Sequence, residues 1–377
     1  MALKVIYNGE ETTLKLCEYL SSENLIICSP DNEPSSRIHL YCPLKLDNQY
    51  NPSNFTSALF RKKNIAENDV FTVFDAVDDS RLGRCFPIQA LCSIDHSYAN
   101  EDNFLKFSFI AVYHLIENLN ICTWRIPIVQ DSDTLSFSDF VSDDAAILII
   151  SLGTPGSRKE FNHKDWLPSL FKYGFIPVND KYNQEIFYCG TNTGNNSLKI
   201  QKISKDIKNT KFILNTIENI LPYENNCLLR FFYLYQIIEL FIYQVYEEEY
   251  PSYIKSLVDN AGDTIKAKDL ISKISELATE KKRINLLVND FVFAGLERAA
   301  LINSCNAYLT LIGREECPDV QQAIYRVRNI LFHQFRDVPD GSSSFLEDLC
   351  DEFSIFIVQL LSLYKNKAAT VFLEYQI

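Results

Sequence analysis

The sequence predicts an α+β protein in which a β-rich, mixed N-terminal domain is followed by an all-α helical bundle. Before about residue 205, short apolar segments alternate with turn-forming polar stretches, as expected for strands and buried segments. After it, apolar residues recur every three or four positions over long stretches, which is the period of an amphipathic helix. A chain of 377 residues is long enough for two domains, which we place at 1–205 and 206–377.

The N-terminal domain is predicted to contain eight strands or buried segments and two helices. The eight segments are LKVIYN, NLIICS, RIHLYC, VFTVFDAV, FLKFSFIAVYHL, AAILIISLG, EIFYCG and SLKIQKIS. Stretches such as SPDNEPSS and GTNTGNNS separate them, because Gly, Pro, Asn and Ser favour turns. The two predicted helices are TTLKLCEYL and HKDWLPSLFKYG.

The C-terminal domain is predicted to hold about five or more helices joined by short loops. Its long helix LLRFFYLYQIIELFIYQVYEEEY is apolar nearly all round, which indicates burial on several sides or a dimer face. Pro251 is expected to end it, because proline lacks a backbone N–H and clashes with the preceding turn. Pro318 and Asp319 are expected to open the helix DVQQAIYRVRNILFHQF. Ser343 or Ser344 is expected to cap the last helix. Further helical stretches are KFILNTIENIL, KDLISKISELATEKK and INLLVNDFVFAGLERAALINSCNAYL.

Charge and cysteine usage limit the classes of function. A formal net charge of −13 disfavours the wrapping of duplex DNA by broad phosphate neutralisation, although a local cationic site can still hold one RNA phosphate. The eleven cysteines include no C-x-x-C pair and several stand in apolar runs, which predicts reduced core thiols. The N-terminus has no signal-peptide pattern and no apolar run reaches membrane-spanning length, so we expect a soluble, cytoplasmic protein with no membrane partner.

The segment RNILFH, residues 328–333, carries the candidate chemistry. Asn329 and His333 are four residues apart and therefore share one helix face, and Tyr325 and Arg336 continue that polar line. Arg328 stands beside the line, but its long side chain can reach the same place. Three apolar positions of the same helix are expected to face the core: Ile324, Val327 and Leu331.

These side chains suit the cleavage of RNA. A base must take the proton of the 2′-hydroxyl, an acid must protonate the leaving 5′-oxygen, and a cation must stabilise the charge on the phosphoryl oxygens. Histidine transfers protons near neutral pH, and arginine binds phosphate while staying charged. Asparagine can orient either partner. The reaction needs no metal or other cofactor, and the sequence has no His and carboxylate cluster at metal-ligand spacing.

An Arg followed by Asn and, a few residues later, by His on a late helix of a bundle resembles the HEPN superfamily. The resemblance covers about residues 206–377 and is greatest to the HEPN domains of bacterial abortive-infection and toxin-type proteins. The helix RFFYLYQIIELF, which contains Glu239, is similar to the first long helix of that family.

The resemblance implies a metal-independent endoribonuclease that acts as a homodimer through its helical bundle, with two Arg–His pairs in one cleft. By the same resemblance Arg328 would bind and polarise the scissile phosphate, His333 would be the acid or base, and Asn329 would support them. Products would end in a 2′,3′-cyclic phosphate. The implied role is a toxin or antiphage effector, whose partners would be an antitoxin or a phage-derived trigger sensed by the N-terminal domain.

A second interpretation makes the bundle a non-catalytic HEPN-like dimer that binds RNA, a nucleotide or a protein. Arg328 would then pair with a carboxylate such as Glu239, and His333 would be an interior residue with its hydrogen bonds satisfied. If Arg328 and His333 face a shared open cleft, the enzyme is favoured. If both side chains are buried and paired, the binding module is favoured. The run EKKR at 280–283 is interpreted as a solvated face.

A third interpretation places an enzyme in the N-terminal half. The loop LGTPGSRK follows an apolar strand and precedes a helix, so Ser157, Arg158 and Lys159 can meet an anion at the helix start. The loop lacks the ending of a P-loop and the G-x-G-x-x-G pattern. The sequence reveals no nucleophile–base pair that would accompany it.

Overall fold

A computed structural model describes residues 3–118, 125–130, 133–153, 161–179, 183–191, 194, 196–292, 295–334, 336 and 341–365. The chain divides into two compact units, Met1–Gln201 and Lys202–Ile377. The first is rich in strands and the second is helical, which confirms the fold class predicted from the sequence.

Two six-stranded sheets form the N-terminal unit. Its strands are β1 (Lys4–Tyr7), β2 (Glu10–Leu20), β3 (Leu25–Pro30), β4 (Ile38–Tyr41), β5 (Phe55–Arg61), β6 (Phe71–Asp75), β7 (Arg81–Pro87), β8 (Ile128–Val129), β9 (Thr134–Ser136), β10 (Ala145–Ser151), β11 (Ile176–Pro177) and β12 (Ser197–Ile200). The first sheet has the order β8-β1-β2-β3-β4-β9 and the second has the order β11-β5-β10-β7-β6-β12. The helices of this unit are α1 (Asp102–Tyr113) and α2 (His163–Lys172).

Strand β10 lies inside the second sheet and is apolar on both faces. It pairs antiparallel with β5 and β7, so that Ile147 lies opposite Leu59 and Phe86. Because successive side chains of a strand point to opposite faces, Ile147 and Ile149 enter the core shared with the first sheet and α1. Leu148 enters the core on the other face, which α2 covers. This double burial explains the uninterrupted apolar sequence AAILIIS.

One prediction for the N-terminal unit was wrong. The segment TTLKLCEYL is part of strand β2 and not a helix, because it pairs antiparallel with β1 and β3 on its two edges. The segment FLKFSFIAVYHL, predicted to be a strand or a buried segment, is buried and lies mostly in α1. Its apolar residues bury the helix on several sides, so the sequence shows no clear helical period. EIFYCG forms no strand, although Ile186 and Tyr188 in it are buried. The helix predicted at HKDWLPSLFKYG is α2.

The C-terminal unit is a helical bundle. Its described helices are α3 (Thr210–Asn219), α4 (Cys227–Asp259), α5 (Thr264–Leu277), α6 (Glu280–Asp290), α7 (Ala299–Leu311), α8 (Val320–His333) and α9 (Ser343–Leu363). Helix α4 packs against α5, α6 and α9, and α8 packs against α6 and α7. The core of the bundle therefore lies around α4, which contacts three other helices.

Several helix boundaries differ from the prediction. KDLISKISELATEKK is divided between α5 and α6, and INLLVNDFVFAGLERAALINSCNAYL is divided between α6 and α7. Helix α4 continues through Pro251, which is exposed, so water can satisfy the carbonyl that loses its partner. Asp319 caps α8 as predicted, with its side chain accepting from the N–H of Gln322 at 2.7 Å. The N-cap of α9 is Ser342, whose side chain makes no capping bond, and not Ser343 or Ser344. Helix α8 ends at His333, so Arg336 lies beyond it.

Among the described helices, α4 alone is long and apolar enough to cross a membrane. Of the most apolar 18-residue stretch of α4, 56% is buried inside the protein, which is compatible with the core helix of a soluble protein. The ten cysteines that the structure describes are free thiols.

Candidate active site

Helix α8 is anchored by its apolar stripe, which fixes the direction of its polar side chains. Ile324, Val327 and Leu331 are at most 4% exposed, as the helical period predicted. Arg328 and Asn329 are consequently half-buried, and His333, at the last position of the helix, is exposed. The three predicted residues therefore lie between the bundle core and solvent.

One nitrogen of the Arg328 guanidinium contacts both of the other predicted catalytic residues, Asn329 and His333. Its Nη1 donates to Asn329 Oδ1 at 3.1 Å and to His333 Nε2 at 3.2 Å. A guanidinium has no acceptor, so the second contact requires an unprotonated Nε2 and places the ring proton of neutral His333 on Nδ1. In this geometry the Nε2 lone pair is occupied by Arg328, so Nε2 can accept a proton only after Nη1 turns away.

Two carboxylates from other helices lie beside the guanidinium. Glu239 Oε1 of α4 is 3.7 Å from Nη2 of Arg328, and Glu280 Oε2 of α6 is 3.9 Å from Nη1. Both distances exceed a hydrogen bond and correspond to loose ion pairs. The Arg328 side chain is 18% exposed, and that of Glu239 is 46% exposed. The guanidinium is thus paired but reachable from solvent on the Glu239 side.

Aromatic rings hold the guanidinium in place. Its Cζ lies 5.5 Å from the ring centre of Tyr235 and 5.1 Å from that of Phe332, at distances typical of cation–π contacts. Phe332 in turn stacks on Phe232 of α4 at 5.4 Å. Arg328 Nε is buried and has no hydrogen-bond partner among the described residues. The arginine is therefore fixed in position by rings, while its hydrogen-bonding capacity is incompletely used.

Tyr235 orients Glu280. Its hydroxyl donates to Glu280 Oε1. Burial, with the neighbouring Glu280 carboxylate, raises the pKa of Tyr235 well above its usual range, so it remains a donor at any physiological pH. Burial also raises the pKa of Glu239, with Glu280 adding to the rise and Arg328 opposing it. The two carboxylates therefore repel each other on either side of one cation.

The sequence analysis missed Glu280 and Tyr235. The interpretation of EKKR as a solvated face is wrong for Glu280, whose side chain is 20% exposed and faces Arg328. An acidic residue in the first turn of a helix is ordinary, so the sequence carried no distinguishing signal. The ion pair between Glu239 and Arg328, which the second interpretation offered as one alternative, is present at 3.7 Å. No described contact joins Tyr325 or Arg336 to Arg328 or His333.

The predicted anion loop cannot be placed. Ser157, Arg158 and Lys159 lie outside the described residues. The elements on either side are strand β10 and helix α2, and Asn162 caps α2 by accepting from the N–H of Lys164 at 3.1 Å.

The N-terminal unit does contain a hydroxyl–imidazole pair that the sequence did not reveal. Ser57 Oγ is 2.7 Å from His114 Nδ1, and His114 Nε2 is 3.1 Å from the carbonyl oxygen of Pro52. Burial lowers the pKa of His114. The cavity beside Ser57 measures about 10 Å³, hardly enough for one water molecule. With both ring nitrogens satisfied and no room for a substrate, the pair serves the packing of the unit.

No protein family, curated protein or solved structure matches the chain. The part of the chain that the structure describes contains no group of three His, Cys, Asp or Glu side chains placed to hold a metal ion.

Proposed function

We propose that the C-terminal unit is a metal-independent endoribonuclease of the HEPN type, with Arg328 and His333 as its catalytic residues. The observation that carries the proposal is the 3.2 Å contact between Arg328 Nη1 and His333 Nε2 at the solvent-exposed end of α8. A cation and a proton-transfer group that touch each other can act on one phosphodiester.

The proposed reaction assigns one task to each side chain. Arg328 binds a non-bridging oxygen of the scissile phosphate and stabilises the charge that develops there. When Arg328 Nη1 turns from His333 Nε2 to the phosphate, the freed Nε2 takes the proton of the 2′-hydroxyl, and the 2′-oxygen attacks phosphorus to form a 2′,3′-cyclic phosphate. A protonated histidine gives its proton to the departing 5′-oxygen. Asn329, already bonded to Arg328 at 3.1 Å, keeps the guanidinium oriented.

A homodimer supplies the second histidine. One chain brings one His333, whereas the reaction uses a base and an acid, so the bundles of two chains would pair to form one cleft. We place this enzyme in the cytoplasm as a toxin or antiphage effector. The N-terminal unit would sense a phage-derived trigger or an antitoxin.

The second candidate function is a non-catalytic HEPN-like module that binds RNA, a nucleotide or a protein. The observation that favours it is the engagement of Arg328 by two carboxylates and two rings at 18% exposure. In that case the cation would stabilise the packing of α4, α6 and α8. The exposure of His333 at the end of α8 is the feature that favours the enzyme over this alternative.

Cleavage assays with matched variants test the proposal. Purified full-length protein is incubated with a mixed single-stranded RNA, and the variants are Arg328→Ala and His333→Ala. Arg326→Ala, on the same helix, is the control for the lost arginine, and Gln334→Ala is the control for a change at the helix end. We expect both site variants to lose at least about 100-fold in rate while the controls keep it. Cleavage that survives His333→Ala would contradict the proposal, and RNA binding without cleavage by any form would favour the second candidate.

A further inference from the structure

The ammonium of Lys62 is held inside the N-terminal unit by main-chain carbonyls. Lys62 directly follows strand β5, and its Nζ donates to the carbonyl of Tyr173 at 2.7 Å and to that of Cys189 at 3.3 Å. Nζ also lies 5.5 Å from the centre of the Phe175 ring. Burial lowers the pKa of Lys62, and Asp69 opposes that effect. Two carbonyl dipoles and a ring face thus support a cation that has lost much of its water.

Two glycines make this arrangement possible. Gly174 has φ +80°, and a Cβ there would lie 2.3 Å from the Cys189 carbonyl oxygen. Gly190 has φ +71°, and a Cβ there would lie 2.1 Å from the Gly174 nitrogen. Both positions need a left-handed backbone and a close approach that only glycine allows. The two chain segments cross at this point, and the crossing brings their carbonyls to one ammonium.

Lys62 lines a cavity of about 340 Å³, a volume within the range of small-molecule sites. Most of the lining is polar: Lys62, Lys63, Asn64, Tyr173, Thr191 and Asn196. Lys63 pairs only loosely with Glu185, at 3.9 Å and with the carboxylate side chain 69% exposed. Asp69, the acidic lining residue, is bonded through Oδ2 to the N–H of Ala66 at 2.8 Å. The described lining carries two lysine ammonium groups and one carboxylate, that of Asp69, so its net charge is positive.

We propose that this cavity binds a small organic anion, whose phosphate or carboxylate group takes the third N–H of Lys62. An ammonium has three donors, and the structure directs two of them to carbonyls. Among the described residues the third meets no protein acceptor. The side-chain amide of Asn64 contacts the polar body of the ligand, as does the second N–H of Asn196, whose first donates to the Tyr98 hydroxyl at 2.8 Å. The Thr191 hydroxyl donates to the Lys172 carbonyl at 3.1 Å, so it offers the ligand only its oxygen as an acceptor. This site lies entirely within residues 62–198 and is independent of the ribonuclease site.

The test measures thermal unfolding of the full chain with three probes: inorganic phosphate, adenosine 5′-monophosphate and citrate. Calorimetric titration follows for each probe that raises the melting temperature. We expect at least one probe to raise it by several degrees, because a ligand that binds only the native state stabilises it. Stabilisation by phosphate or the nucleotide identifies a phosphate ligand, and stabilisation by citrate identifies a carboxylate ligand.

Two variants show whether the probe sits at this site. Lys62→Met removes the charge, and Asn64→Asp adds an opposing charge at a position of φ +59° that aspartate tolerates. Each is expected to weaken the Kd at least tenfold, whereas Asn24→Asp, at φ +56° outside the cavity, leaves it unchanged. If Lys62→Met does not fold, Asn64→Asp decides alone. No stabilisation by any probe, or a Kd that Asn64→Asp leaves unchanged, overturns the proposal, and Lys62 then only joins two chain segments.

Discussion

Replacing Glu239 with Gln tests whether this carboxylate competes with an RNA phosphate for Arg328. The substitution keeps the size of the side chain and removes its charge. Because Glu239 is the more exposed of the two carboxylates beside the guanidinium, it lies where a phosphate must approach. We expect Glu239→Gln to bind RNA more tightly than the unaltered protein.

The separation of the two groups sets the size of the effect. Glu239 Oε1 lies 3.7 Å from Arg328 Nη2. Two unit charges at such a distance attract by about 1 kcal/mol in water and by several times more in a protein interior. The Glu239 side chain is 46% exposed, so solvent screening reduces the net value to about 0.5–1 kcal/mol. This corresponds to a roughly two- to fivefold gain in RNA affinity.

Fluorescence anisotropy with a labelled single-stranded RNA measures that gain. The comparison is made in a His333→Ala background, so that the RNA stays intact. Glu247→Gln is the matched control, because Glu247 also belongs to α4 and pairs with a different cation, Lys208, at 3.0 Å. An unchanged or weaker affinity in Glu239→Gln, or an equal gain in Glu247→Gln, would refute the competition.

Three more predictions concern pH and stability. Since burial raises the pKa of Glu239, the carboxylate becomes neutral at a pH above its usual 4.5. As the pH falls through that raised value, Arg328 loses a partner, so anisotropy should show RNA affinity rising more in His333→Ala than in the double variant His333→Ala, Glu239→Gln; parallel pH profiles would contradict this. Leu331→Ala should lower the free energy of unfolding in urea by about 2–4 kcal/mol, because Leu331 is 4% exposed, whereas Asn329→Ala should cost about 1 kcal/mol. Equal losses would show that the apolar stripe does not anchor α8. Pro251→Ala should raise the free energy of unfolding by about 1–3 kcal/mol, because proline is the poorest residue for a helix interior; a decrease in thermal stability would count against this.

The geometry within α8 could be predicted from its sequence. A helix of known period, with an apolar stripe at Ile324, Val327 and Leu331, fixes where Asn329 and His333 point. The length of an arginine side chain then allows Arg328 to reach both. These arguments need only local structure, and the predicted positions agree with the structure.

The rest of the site could not be predicted, because it depends on how helices pack. Tyr235 and Glu280 reach Arg328 from α4 and α6, far away in the sequence. The same limit explains the error in the N-terminal unit. The segment TTLKLCEYL fits either a helix or a strand by composition, and only pairing with β1 and β3 makes it a strand. Proline usually ends a helix, but α4 continues through Pro251 because this position is exposed.

The most direct test of the central claim is end-group analysis of RNA cut by the purified protein in EDTA. The proposal predicts cleavage without metal, with 2′,3′-cyclic phosphate and 5′-hydroxyl ends, and none of these products with Arg328→Ala or His333→Ala. An RNA in which the 2′-hydroxyls are replaced by hydrogen should remain intact. Products with 5′-phosphate ends, or cleavage that EDTA abolishes, would contradict attack by the 2′-hydroxyl at an Arg328–His333 site.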